Sequence, residues 1–125
     1  MTTLKIGTGL AIVTAFVVIA GVPGCKSVPN HDGRQLFLVH CANCHGVYGA
    51  GDGPLSQDLT VVLQDLRRIR GEDGKFPREA VRRVIDGRGG HSAPDMPNWG
   101  EVFEHDTDAK IEALVAWIHT LQVAR

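Results

Sequence analysis

The sequence predicts an all-α domain. Three observations carry that expectation: an apolar stripe at Ile111, Leu114, Val115, Ile118 and Leu121, a shorter stripe at Val81, Val84 and Ile85, and no alternating strand pattern anywhere. The chain has 125 residues and a net charge of −1, and its first quarter differs in composition from the rest. One folded unit of roughly 90 to 100 residues is therefore expected, without internal repeats. The near-zero charge and the few aromatic side chains argue against nucleic-acid binding. A unit this small is marginal unless something besides side chains fills its core.

The N-terminal quarter reads as a targeting segment. Residues 6–22 are apolar apart from small residues and threonines, Lys5 is the one charge before them, and Pro23, Gly24 and Pro29 follow. Residues 1–24 are thus expected to be a signal peptide or an N-terminal membrane segment, since the run is close to the length that crosses a bilayer. The sequence Val22-Pro23-Gly24-Cys25 is similar to the lipobox of bacterial lipoproteins, with Pro23 departing from the pattern. Cys25 is then either lipidated or a free thiol, and residues 25–31 form a linker.

The domain occupies 32–125. Asn30 or Asp32 is a suitable N-cap for a first helix running through Leu36, Phe37, Val39 and His40 into Cys41. Four glycines in 46–54 force a loop. The apolar spacing over 55–69 suits one or two short helices. Pro77 opens and Gly87 closes a helix of about two turns. Residues 89–97, rich in Gly and Pro, form a loop, and Asp106 or Thr107 caps the final helix.

The chemistry resides in Cys41-Ala42-Asn43-Cys44-His45, a C-x-x-C-H motif. Two thiols three positions apart on one helical turn reach two vinyl groups on one edge of a porphyrin, and the next histidine falls under the iron; this is the spacing of covalent haem attachment. A thioredoxin-like C-x-x-C would need a βαβ context, and structural zinc a second ligand pair; neither pattern is present.

Beyond this pentapeptide the chain resembles the class I cytochromes c. Gly33, Phe37, Cys41, Cys44 and His45 match the first-helix pattern of that family, Leu114 and Trp117 match the leucine and aromatic pair of its last helix, and Met96-Pro97 matches its distal ligand loop. Gly51-Asp52-Gly53-Pro54 and the helix that follows Phe76 are similar to small cytochromes, or cytochrome subunits, of bacterial periplasmic dehydrogenases and oxidases. The resemblance implies a cytochrome c fold, several short helices around one covalent haem c, with the first and last helices crossing at Gly33. It also implies that a proline carbonyl, at Pro54, orients His45.

His45 and Met96 are the expected axial ligands, with Cys41, Cys44, His45 and Met96 together holding the cofactor. Met96 is the one methionine besides Met1, and a thioether ligand raises the potential. His91 is the rival, and a bis-histidine site would lower it. Trp99 and Arg67, Arg68 or Arg70 are candidates to meet the haem propionates, whereas His31, His40, His105 and His119 read as structural or surface residues. With both axial positions filled, the chain is a single-electron carrier rather than an enzyme. It is expected on the periplasmic side of a bacterial membrane, exchanging electrons with an oxidase, a dehydrogenase or another cytochrome, with attachment through Cys25 or residues 6–22. The alternatives are a haem subunit of a larger oxidoreductase, a five-coordinate peroxidase-like or sensing haem protein, and a zinc module. Charge is also divided along the chain, with 8 bases against 5 acids over 61–90 and 2 bases against 6 acids over 91–125, nets of +3 and −4. Such a division predicts electrostatic steering of a partner.

Overall fold

The computed structural model describes residues 31–90 and 93–123. Within them lie α1 (Gly33–His40), α2 (Ala42–His45), 3₁₀ turns at Ser56–Asp58 and Leu66–Arg68, α3 (Arg78–Asp86), α4 (Trp99–Val102) and α5 (Thr107–Thr120), with no strand. The all-α expectation holds. Helix α1 starts where a carboxylate can satisfy its free amides: Asp32 accepts from the N–H groups of Arg34 (2.9 Å) and Gln35 (3.2 Å). The expected first helix is divided at Cys41, where φ is −116°, yet the ladder barely breaks. Cys41 N–H reaches Phe37 O (2.9 Å) and His45 N–H reaches Cys41 O (2.9 Å).

Helices α1 and α5 cross as the core of the domain. Phe37 on α1 and Ile111, Leu114 and Val115 on α5 are fully buried, and Ile118, Ile85, Trp99 and Phe103 complete the cluster. The crossing is close because Gly33 has no side chain: a Cβ there would collide with the carbonyl oxygen of Ala113 and lie 3.1 Å from Trp117 Cβ. Helix α3 ends as the sequence suggests, Gly87 donating to Arg83 O at 3.0 Å, whereas Asp106 precedes α5 in a left-handed conformation (φ 52°) without a side-chain cap bond.

Three expectations are corrected. Residues 55–69 form no α-helix. Their backbone is held instead by partners outside the segment, Leu55 N–H by Asn43 O (2.9 Å) and Leu66 N–H by Gly49 O (2.8 Å), and only the two 3₁₀ turns remain. Helix α4 was not anticipated; one turn is too short for an apolar period to register. The charge division also fails to separate into faces. Arg78 pairs with Glu112 (2.7 Å), Arg82 with Glu112 (2.9 Å), Asp108 (3.2 Å) and Asp86 (3.6 Å), and Arg88 with Asp108 (3.1 Å). The basic helix and the acidic start of α5 lock together, because α3 and α5 are packed neighbours.

Candidate functional site

Helix α2 is too short to satisfy its own C-terminal carbonyls, and the glycine loop does so. Asn43, Cys44 and His45 accept in turn from the N–H groups of Leu55 (2.9 Å), Gly53 (3.1 Å) and Gly51 (2.9 Å). That approach requires Gly53, where a Cβ would lie 2.6 Å from Ala42 O and closer still to Asn43 O. The Gly51-Asp52-Gly53-Pro54 segment is therefore the clamp that fixes the end of α2, and with it Cys44 and His45.

Two cavities meet around these side chains. One, of 260 Å³, is bordered by Cys41, His45 and Met96 together with apolar core residues such as Phe37, Ile85 and Ile118. The other, of 80 Å³, is bordered by Cys41, Cys44, His45 and Met96, with Leu59, Val61, Leu63, His40 and Trp99. The structure thus brings together all four sequence-expected site residues, from α1/α2 on one side and from the loop before α4 on the other. A wider concavity, of 1120 Å³, lies elsewhere, along α1 and α5, and none of the four borders it.

The electrostatics suit a cofactor that is attached through sulfur and ligated through nitrogen. Cys41 and Cys44 are not joined to each other in a disulfide. Burial, reinforced by the neighbouring Cys44, pushes the Cys41 thiol up to about 12, so it stays protonated rather than forming a reactive thiolate. Burial lowers the His45 pKa, which favours the neutral imidazole whose lone pair can bind a metal. His45 Nδ1 is buried without a hydrogen-bond partner. The Pro54 carbonyl, expected to accept from it, does not. Among the described residues no group of three or more His, Cys, Asp or Glu side chains could hold a metal ion. An apolar cavity flanked by two thiols, an imidazole and a thioether fits a haem.

The arginines expected near propionates border neither cavity and have partners of their own. Arg67 is held bidentate by Asp65 (2.8 Å from both Nε and Nη2), Arg68 lies 3.6 Å from the same carboxylate, and Arg70 donates to Gly74 O. Trp99 does line the smaller cavity. His40, read from sequence as structural, also borders it, packed edge-on against Trp99 (5.2 Å) and Phe103 (5.3 Å). The sequence reading missed the wall of Leu59, Val61 and Leu63, whose apolar side chains recur every second residue. His91, Cys25 and residues 6–22 lie outside the described residues. No helix among the described residues is long and apolar enough to cross a membrane.

Residues 29–118 match the family described as cytochrome c oxidase, cbb3-type, subunit III. The chain belongs to this family. It is a small class I c-type cytochrome, it carries covalently bound haem c with iron, and its role is electron transfer. The cytochrome is 36% identical over 90 residues to the cbb3-type cytochrome c oxidase subunit FixP of Azorhizobium caulinodans, a match covering 71% of this chain and 26% of that protein. It thus spans about a quarter of the curated relative's length. A solved structure titled KustC0563 c-type cytochrome is similar over 74% of this chain and all of that one, with 20% identity and a TM-score of 0.49.

Proposed function

We propose that the cytochrome is a one-electron carrier in which Cys41 and Cys44 hold the haem through thioethers and His45 and Met96 fill the two axial positions. The observation that supports this reading is that Cys41, His45 and Met96 border both cavities, from opposite sides of the fold. Cys41 and Cys44 would hold the haem by adding across its vinyl C=C bonds, sulfur to one carbon and the thiol proton to the other, without net redox change. Neutral His45 offers its lone pair, and Met96 offers a soft sulfur that favours the reduced metal. When bound, the haem supplies a one-electron couple at iron. With His45 and Met96 both engaged as ligands, the chain would leave no open position for oxygen or peroxide.

The setting is part of the same proposal. Likeness to an oxidase subunit and the apolar N-terminal run support a place on the periplasmic side of a bacterial membrane, as a relay within or beside an oxidase. Attachment would come from lipidated Cys25 or from residues 6–22. Optical spectroscopy of the exported protein and of Met96→Ala tests the ligand set. The expected result is a weak far-red ferric band in the parent, with loss of that band, a lower potential and new carbon monoxide binding in the variant. Unchanged spectra and potential would transfer the distal position to His91.

A further inference from the structure

We infer that Gly87, Asn98 and Gly100 are positioning residues for Met96: they close the neck of the loop that carries it and so fix where its sulfur stands. The inference rests on the ligand assignment proposed above. Residues 88–97 leave the end of α3 and return to the start of α4, and the two ends of this loop touch. Gly87, buried at the end of α3, lies so close to Asn98 that a Cβ on it would be 2.9 Å from Asn98 Cα and closer still to Asn98 Oδ1. Gly100 makes a second close approach. A Cβ there would lie 2.7 Å from Asp86 O and 2.6 Å from Arg88 Nε, and would overlap Asp86 Oδ1. Neither glycine has room for a side chain, and Gly87 also takes a left-handed conformation (φ 68°) that favours glycine.

Asn98 is the informative member of the three. Asparagine at a helix N-cap ordinarily accepts from the first free amides, yet Asn98 stands at that position of α4 with no side-chain cap bond. Its side chain lies against Gly87 instead. Its backbone oxygen still accepts from the N–H groups of Glu101 (2.9 Å) and Val102 (3.1 Å), so the neck is continuous with α4. Both sides of the neck belong to elements anchored in the core, α3 through Ile85 and α4 through Trp99. Arg88 adds a third support, pairing with Asp86 beside Gly100 and reaching Asp108 on α5 at 3.1 Å. Between the neck and Met96 stands one residue, Pro97, whose ring fixes φ. A displacement of Asn98 therefore passes to Met96 with little backbone freedom to absorb it. On its other side Met96 follows Asp95, which Thr60 holds at 2.7 Å. Met96 is thus pinned from both directions, and the neck is the pin on the α4 side.

The test uses the full, haem-loaded chain carrying Gly87→Ala, Gly100→Ala or Asn98→Ala, with ferric far-red absorption, reduction potential and cyanide-binding rate as readouts. Cyanide enters only while Met96 is away, so its rate reads the placement of that side chain. Gly87→Ala and Gly100→Ala should weaken the band, lower the potential and bind cyanide roughly tenfold faster, because overpacking at the neck is relieved by moving the loop. Asn98→Ala, which leaves a gap rather than a clash, should change all three in the same direction and by less. Two other glycines separate positioning from general weakening. Gly33→Ala clashes at the crossing of α1 and α5, and Gly74→Ala strains a glycine of similar φ (74°) that has nothing within 4 Å of its Cβ position. Both should keep the parent's band, potential and cyanide rate, whatever they do to unfolding. A parent without the far-red band, or Met96→Ala with the parent's spectrum, would overturn the ligand assignment and this inference with it. With that assignment intact, parent-like bands and cyanide rates in Asn98→Ala and in either neck glycine variant that folds would overturn the positioning role alone. So would equal changes in Gly33→Ala or Gly74→Ala.

Discussion

Thr60 donates both its backbone N–H (2.7 Å) and its hydroxyl to Asp95 Oδ2, tying the cavity wall to the residue immediately before Met96. Asp95 adopts a left-handed backbone conformation (φ 63°), uncommon for a residue with a side chain, and the two bonds from Thr60 hold it there. The same bonds depress the Asp95 pKa. The position of Met96 is thus set from across the cavity as well as from its own loop.

Asp95→Ala, which loses both bonds, should weaken the far-red band of the ferric protein and speed exchange of the distal ligand more than Thr60→Val, which loses one. Ferric absorption and cyanide-binding rates check the order. Equal spectra in both variants would mean that Pro97 and the packing of Met96 against the core suffice.

Gly33→Ala forces a methyl group into the Ala113 carbonyl oxygen at the crossing of α1 and α5. Because both sides of the clash are helix backbone, neither can yield cheaply, and a loss of about 1 to 3 kcal/mol is expected. Denaturant unfolding of the haem-loaded protein measures it, with little change in potential, since the crossing lies away from the cavity.

Arg82 is 28% exposed and faces Asp86, Asp108 and Glu112 at once. Arg82→Glu places a fourth acid among three and should cost on the order of 1 to 3 kcal/mol, whereas Arg83→Glu, with no ion pair among the described residues, should stay within about 0.5 kcal/mol. Thermal unfolding of the two variants separates them. A large loss with Arg83→Glu would show that α3 is charged differently from this network.

Acid should loosen the domain in a defined window. The hydrogen bond from Arg88 holds the Asp86 carboxyl below its ordinary value of 3.8, and that from Arg67 holds Asp65 down to about 2. Groups with depressed folded pKa values stabilise the fold above the ordinary carboxylate range, and that stabilisation fades as pH falls from about 4 towards 2. Melting temperatures across that range should drop for the parent and drop less for Asp65→Asn, which begins lower.

The parts of the fold that the sequence reveals are those whose signal is periodic or chemical. Helix α5 was legible from Ile111, Leu114, Val115 and Ile118 because four buried positions on one stripe leave little else to form, and α3 from Pro77 and Gly87. The juxtaposition of Cys41, Cys44, His45 and Met96 was legible because so few side chains could serve. Residues 55–69 misled because apolar spacings of three and four coexist there with a period of two, and which one prevails depends on amides of Leu55 and Leu66 finding carbonyls far along the chain. The arginines misled for a related reason: their partners Asp108 and Glu112 lie 20 to 34 positions away, a relation visible only once α3 and α5 are side by side.

The cavity between Cys41 and Met96 means that the interior of this protein is not completed by its own side chains. A copy whose two cysteines never receive haem keeps apolar walls facing one another across a gap, and the cost of that gap is comparable to the whole stability margin of so small a domain. Attachment therefore doubles as an inspection step. Copies that pass should resist proteases, those that fail should be cleared as unfolded chain, and the number of surviving molecules should then follow the supply of haem rather than the rate of synthesis.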